Sequence, residues 1–181
     1  GYKVVYQPKA SVIHFEGVSH GKSEQVGLKR HQAINREKFH EKWRQVLQRD
    51  HLKPGDSVFV ARDRAFKKET ILVMDDQMLT WDKDAGSKAT YQYIKLFVEN
   101  NYKVIFAPDN FHRREPYTTA LQQLGVEVLY WPPYNSEQFV KWLRKNGKYI
   151  QHVVLNRPHT GQKYIAAIKK WTSASVFYYA H

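Results

Sequence analysis

The sequence predicts an α/β chain, with a Rossmann-like parallel sheet of about five strands and helices on both faces over residues 70–181. Three observations predict it. Short apolar runs alternate with helical stretches from residue 70 onward, the rhythm of repeated βαβ units. Gly125 and the pair Asn146-Gly147 stop two of those helical stretches. Hydrophobic residues make up 42% and aromatics 14% of the 181 residues, which fills a core and is too much for a disordered chain.

Taken in order, residues 2–6 (YKVVY) alternate into a short strand, Gln7-Pro8-Lys9-Ala10 turns the chain, and residues 11–15 read as a second strand. From about residue 23 to 48 the pattern becomes helical. Phe39, Trp43, Val46 and Leu47 recur at spacings of three and four among Lys, Arg, Glu and His. A helix of this kind cannot bury its own apolar stripe and needs a partner surface. Lys53-Pro54-Gly55-Asp56 is a turn signal, residues 57–61 (SVFVA) suit a short strand, and the charged stretch 62–69 reads as a linker. Strands are then expected at 71–74, 103–107, 126–130, 152–155 and 175–179. Helices are expected at 86–100, 118–124, 136–145 and 161–171, with Ser136 as a cap. Connections of this kind are right-handed and give a doubly wound parallel sheet.

Composition narrows the function classes. No cysteine is present, which removes disulfides, thiolate zinc sites and a cysteine nucleophile and fits a reducing cytoplasm. No apolar run approaches the ~20 residues of a membrane-spanning helix. The chain opens on Gly1 with strand-like residues at once, so it is expected to be a piece of a longer protein. The net charge is +12. Residues 1–68 carry 15 Lys/Arg and 7 Asp/Glu, and residues 69–181 carry 14 and 10, so the basic excess sits mainly in the first third. Such an excess suits nucleic acid, anionic lipid headgroups or a nucleotide-sugar diphosphate, and equally a solvated basic helix. With no RNP motif, zinc finger or basic zipper, specific nucleic-acid recognition is not expected.

In a doubly wound sheet, ligands bind beyond the carboxyl ends of the strands. That singles out the loops 75–87, 108–116, 131–135 and 156–160 and the end at 180–181. Asp75-Asp76 follows the first strand, where paired acids can hold Mg²⁺ or one of them can cap a turn. ILVMDD resembles the opening of a response-regulator receiver, but the expected middle strands end in Tyr130-Trp131 and Asn156, and neither supplies a phospho-accepting Asp. The loop Asp82–Ser87 leads into a helix, so Asp84, Gly86 and Ser87 can either border an anion at the free N–H groups or form an ordinary cap. It is neither G-x-G-x-x-G nor a P-loop. Arg157-Pro158-His159 stands at the same edge and suits a sugar or phosphate contact or a plain surface loop. His181 follows the last strand. His14, with His20 nearby, is a metal candidate from spacing, although no HExxH or tight His/carboxylate cluster is present.

Two stretches carry a resemblance. GYKVVYQPKASVIHFEGVSHG, followed by Asn35, Phe39 and Lys42-Trp43, resembles the closing segment of a family-2 glycosyltransferase domain of the GT-A type. The stretches ILVMDD, DKDAGSKATYQYIKLF, PDNF, EPYTTALQQLGVEVLY, Arg157-Pro158, Lys163-Tyr164-Ile165 and SVFYYAH resemble the N-terminal Rossmann-like part of a GT-B type glycosyltransferase. The resemblance implies three parts: residues 1–52 as the end of a GT-A domain, 53–69 as a linker, and 70–181 as a partial GT-B N-terminal domain. It implies a multi-domain bacterial enzyme that moves sugars from nucleotide-sugar donors to a growing cell-surface polysaccharide. Such an enzyme would be cytoplasmic, at the inner face of the plasma membrane where it meets anionic lipid. By the same resemblance Asp84–Ser87 lies near the donor diphosphate and acceptor, His181 lies near the sugar, and His14 meets Mg²⁺ or Mn²⁺ only in the full-length parent; Asp76, Arg157 and His159 are expected to border substrate from their place at the carboxyl edge of the sheet. Catalytic residues are not identified, no cofactor is expected in this piece, and the piece alone is expected to be inactive. The alternatives are a receiver-like Mg-binding signalling module and a non-specific polyanion-binding domain.

Overall fold

The structure is a computed structural model, and it describes residues 10–13, 30–53, 55–62 and 65–179. The chain divides into two compact units, residues 1–52 and 53–181. In the first, helix α1 spans Arg30–Asp50 and none of its residues is buried. The apolar stripe read from the sequence is present, with Phe39 and Trp43 rings 6.4 Å apart and both exposed. Residues 10–13 carry no strand, and Val12 and Ile13 are 88% and 81% exposed. The expected strand at 11–15 is therefore absent over its described part: no described residue pairs with it. The rest of the expected strand pair and residues 23–29 lie outside the described residues.

The second unit holds a five-stranded, all-parallel sheet. Its strands are β1 (Thr70–Asp75), β2 (Lys103–Pro108), β3 (Glu127–Val128), β4 (His152–Asn156) and β5 (Ser175–Tyr179), in the order β3-β2-β1-β4-β5. The helices are α2 (Val58–Ala61), α3 (Ala85–Glu99), α4 (Tyr117–Gln123), α5 (Ser136–Asn146) and α6 (Pro158–Trp171). This is the Rossmann-like α/β architecture that the sequence predicts.

Strand alternation decides which side chain meets which layer. Ile71, Val73, Val104 and Phe106 point to one face and pack with Ile94 of α3 and Tyr117 and Leu121 of α4. Leu72, Met74, Ile105, Val153 and Leu155 alternate to the other face and are buried too. Right-handed crossovers place α5 and α6 there, and the rings of Phe139 and Tyr164, 5.3 Å apart, tie those two helices together. β1 and β2 are buried along their whole length, as expected of central parallel strands.

Three details correct the sequence reading. Residues 57–61 form the helical turn α2 rather than a strand. Gly55 and Ser57 both take positive φ (87° and 41°), and adjacent Phe59 and Val60 are both buried, which no half-exposed strand permits. Phe59 stacks on Tyr149 at 5.5 Å and meets the edge of Trp142 at 5.9 Å. The third strand covers only Glu127–Val128 of the expected 126–130, because β3 is an edge strand with two register pairs to β2. The last helix begins at Pro158, since proline's fixed φ suits the first helical position, so His159 is helical and not in a loop.

Candidate functional site at the sheet's switch point

The order β3-β2-β1-β4-β5 reverses direction between β1 and β4. A crevice opens beyond the carboxyl ends of two such strands because their following connections leave on opposite faces. β1 delivers Asp75 and Asp76 to this crevice, β4 delivers Asn156 and Arg157, and the N-terminus of α3 borders it.

Asp75 is 1% exposed and is held by four partners. Its Oδ2 accepts from Asn156 Nδ2 at 3.0 Å and from Thr90 Oγ1 at 3.2 Å. Its Oδ1 accepts from the backbone N–H of Asp76 at 2.8 Å and faces Arg157 Nε at 3.4 Å. The network runs deeper: Asn156 Nδ2 also donates to Thr90 Oγ1 at 3.0 Å, and the Tyr93 hydroxyl donates to Asn156 Oδ1 at 2.8 Å. A buried carboxylate survives only with its acceptor sites filled, and this network fills them.

Asp76 is less enclosed, with Arg157 Nε 4.0 Å from its Oδ1. Burial pushes its carboxyl above the usual range, and the hydrogen bond and like charge of Asp75 push it the same way. Together they outweigh the attraction of Arg157 and the Gln77 N–H. Asp84 is the N-cap of α3, accepting from the Ser87 N–H at 2.7 Å and from Thr80 Oγ1 at 3.0 Å. Burial opposes its charge, but the bonds from Ser87 and Thr80 and the nearby Arg157 hold its carboxyl below the usual range.

Arg157 joins the parts. Its backbone takes φ 69°, a left-handed value that a non-glycine residue adopts at some cost. Its guanidinium lies directly on the first turn of α3, so close that a Cβ added to Gly86 would stand 2.6 Å from Nη2. The missing side chain at Gly86 leaves the guanidinium room at the helix N-terminus. The crevice thus pairs acceptors (Asp75, Asp76, Asp84) with donors (Arg157 and the first N–H groups of α3). Carboxylates accept hydroxyl donors, and the guanidinium and helix end attract negative charge, so a ligand bearing both hydroxyls and phosphate matches the set.

Of the residues singled out from sequence, Asp76, Asp84, Gly86, Ser87 and Arg157 converge here. His159 is exposed in the first turn of α6. His14 and His181 lie outside the described residues. Among the described residues, no three His, Asp or Glu gather as a metal site. Sequence reasoning missed Asn156 and Thr90 as partners of Asp75, and Tyr93 as the partner of those two; the only signal was a polar residue ending an otherwise apolar strand. It also missed a neighbouring cluster, in which Asp109 Oδ1 accepts from Lys163 Nζ at 2.5 Å and from the Tyr164 hydroxyl at 2.6 Å.

Fold and site together define a Rossmann-like doubly wound α/β unit with a charged crevice at its topological switch point. No protein-family model, no curated protein and no solved structure matches the chain. No described helix is long and apolar enough to cross a membrane.

Proposed function

We propose that the chain is part of a glycosyltransferase that moves sugars from nucleotide-sugar donors to a growing cell-surface polysaccharide. The switch-point crevice contacts hydroxyls and phosphate of a substrate. The observation that carries this reading is Arg157 lying on the Gly86 turn of α3 while facing Asp75 and Asp76. The sequence resemblance to glycosyltransferase segments supplies the reaction class, and the crevice supplies donors and acceptors suited to a sugar phosphate. Asp75, Asn156 and Thr90 act as positioning residues that fix the floor, and Asp76, Arg157 and the α3 N-terminus are the groups that meet ligand.

The receiver-like reading fits less well. Receivers use the sheet order 2-1-3-4-5, whereas this sheet runs 3-2-1-4-5, and the strand beside β1 ends in Asn156, whose amide donates to Asp75.

The test is a titration of the 181-residue protein with UDP-glucose, UDP-N-acetylglucosamine and GDP-mannose, followed by amide chemical shifts. Shifts at Gly86, Ser87 and Arg157 are expected with at least one of them, and Arg157→Ala abolishes them. Gly86→Ala is expected to fold, because the group its methyl meets is the mobile end of a side chain, yet to weaken binding by moving the guanidinium. Absence of perturbation at the crevice with all three donors refutes the reading. Incorporation of label from acetyl phosphate, or Mg²⁺-dependent quenching of Trp81 fluorescence, favours the receiver instead.

A further inference from the structure

We propose that a groove between α2 and α5 binds a stretch of acidic oligosaccharide, a chain whose sugars carry carboxylates. The groove has a volume of about 740 Å³. It stands apart from the crevice, because α2 is anchored at the amino ends of the strands. Lys103, the first residue of β2, donates from Nζ to the Phe59 carbonyl at 3.1 Å, and Arg62 pairs with Glu127 at the start of β3.

Arg62, Lys141, Lys145 and Lys148 line the groove. Arg62 and Lys141 are paired, with Glu127 and Glu137. Lys145 and Lys148 meet no carboxylate among the described residues, so their charge remains available to a ligand. The floor is aromatic, formed by Trp142 and Tyr149 with Phe59 between them. This combination selects among anions. A bilayer is flat and cannot enter a concave groove. Nucleobases stack on open ring faces, but here Trp142 stacks on Phe139, Phe59 stacks on Tyr149, and Lys148 lies over the Tyr149 ring, so those faces are taken. The Gln138 amide and the Asn146 amide oxygen, whose nitrogen already donates to the Trp142 carbonyl, suit sugar hydroxyls, and the ammonium groups of Lys145 and Lys148, neither of which meets a carboxylate among the described residues, suit carboxylates. The inference goes beyond the crevice reading and rests on it only for the choice of a glycan as the material handled.

The experiment is calorimetric titration of the 181-residue protein with hexagalacturonate, neutral maltohexaose and a short thymidine strand, at about 50 and about 200 mM salt. Hexagalacturonate is expected to bind, more weakly at the higher salt, while maltohexaose does not. Lys145→Glu with Lys148→Glu is expected to lower the affinity about tenfold, because both reversals lie within a Debye length of the ligand. The exposed pair Lys95→Glu with Lys169→Glu changes net charge equally and is expected to cost no more than about twofold. Arg157→Ala is expected to leave this binding unchanged while removing the nucleotide-sugar shifts, so the two proposals fail separately. Equal losses in both double variants reduce the effect to net charge and overturn the groove. So do tighter binding of thymidine through the same lysines, equal binding of maltohexaose, loss with Arg157→Ala, and no binding of hexagalacturonate.

Discussion

Two carboxylates of the crevice, Asp76 and Asp84, are shifted in opposite directions, and the difference is local. Asp76, raised by burial and by Asp75, binds its proton more tightly in the folded chain than in the unfolded one. Its contribution to stability is therefore full below the unfolded value of about 3.9 and is lost as pH rises through the raised folded value. Asp84, lowered by Ser87 and Thr80, contributes above the unfolded value and loses that contribution as pH falls toward its depressed folded value. Asp76→Asn removes the like-charge conflict. The variant is expected to have a higher urea midpoint than the parent at pH 7, with the gain shrinking to nothing near pH 4. Midpoints between pH 4 and 8 check this, and a gain that does not change with pH contradicts it. The cap was legible in the sequence, because Asp84 and Ser87 stand at the spacing a helix start requires. Arg157 on Gly86 was not, since 71 positions separate them and only the sheet order brings them together.

The same limit holds for whole elements. β1, α3 and β4 were legible because apolar periodicity acts over short spans, and α4 and α5 because the breakers Gly125 and Asn146-Gly147 do. α2 was misread as a strand because VFV favours strands in isolation, and its burial against Trp142 and Tyr149 is a tertiary effect. The lock among the three elements at the crevice is tertiary as well: Asn156 bridges Asp75, Thr90 and Tyr93 from a position that is 0% exposed. Asn156→Asp keeps the shape but sets a second carboxylate against Asp75. One of the two must then hold a proton, so the new group is raised and the destabilisation grows as pH rises through it. The expected loss at pH 8 is about 3 kcal/mol, with partial recovery at pH 5. Thermal melts at the two pH values test this; equal loss at both means that the bridge matters for shape alone.

Within the second unit, among the described residues, topology leaves one face of the sheet only half covered. α3 and α4 cover β1, β2 and β3 on their face, and the later crossovers fall on the other face, so the β4–β5 half of the first face has no helix over it. An aromatic hollow of about 620 Å³ results, walled by Tyr93, Phe97 and Tyr102 and floored by Val154 and Phe177. Beside it runs β5, an edge strand of sequence SVFYY in which Phe177, Tyr178 and Tyr179 are 56%, 52% and 45% exposed. It contains no charge and no proline, the usual protections of a sheet edge. A net charge of +12 opposes association. The expectation is therefore self-association that strengthens with protein concentration and also with salt, as screening removes the repulsion while the apolar attraction remains. Sedimentation velocity over a range of both variables measures it, and Phe177→Glu is expected to hold the chain monomeric. A sedimentation coefficient indifferent to salt and concentration, or one that falls as salt is added, means that the exposed edge is already protected by the charge of the chain.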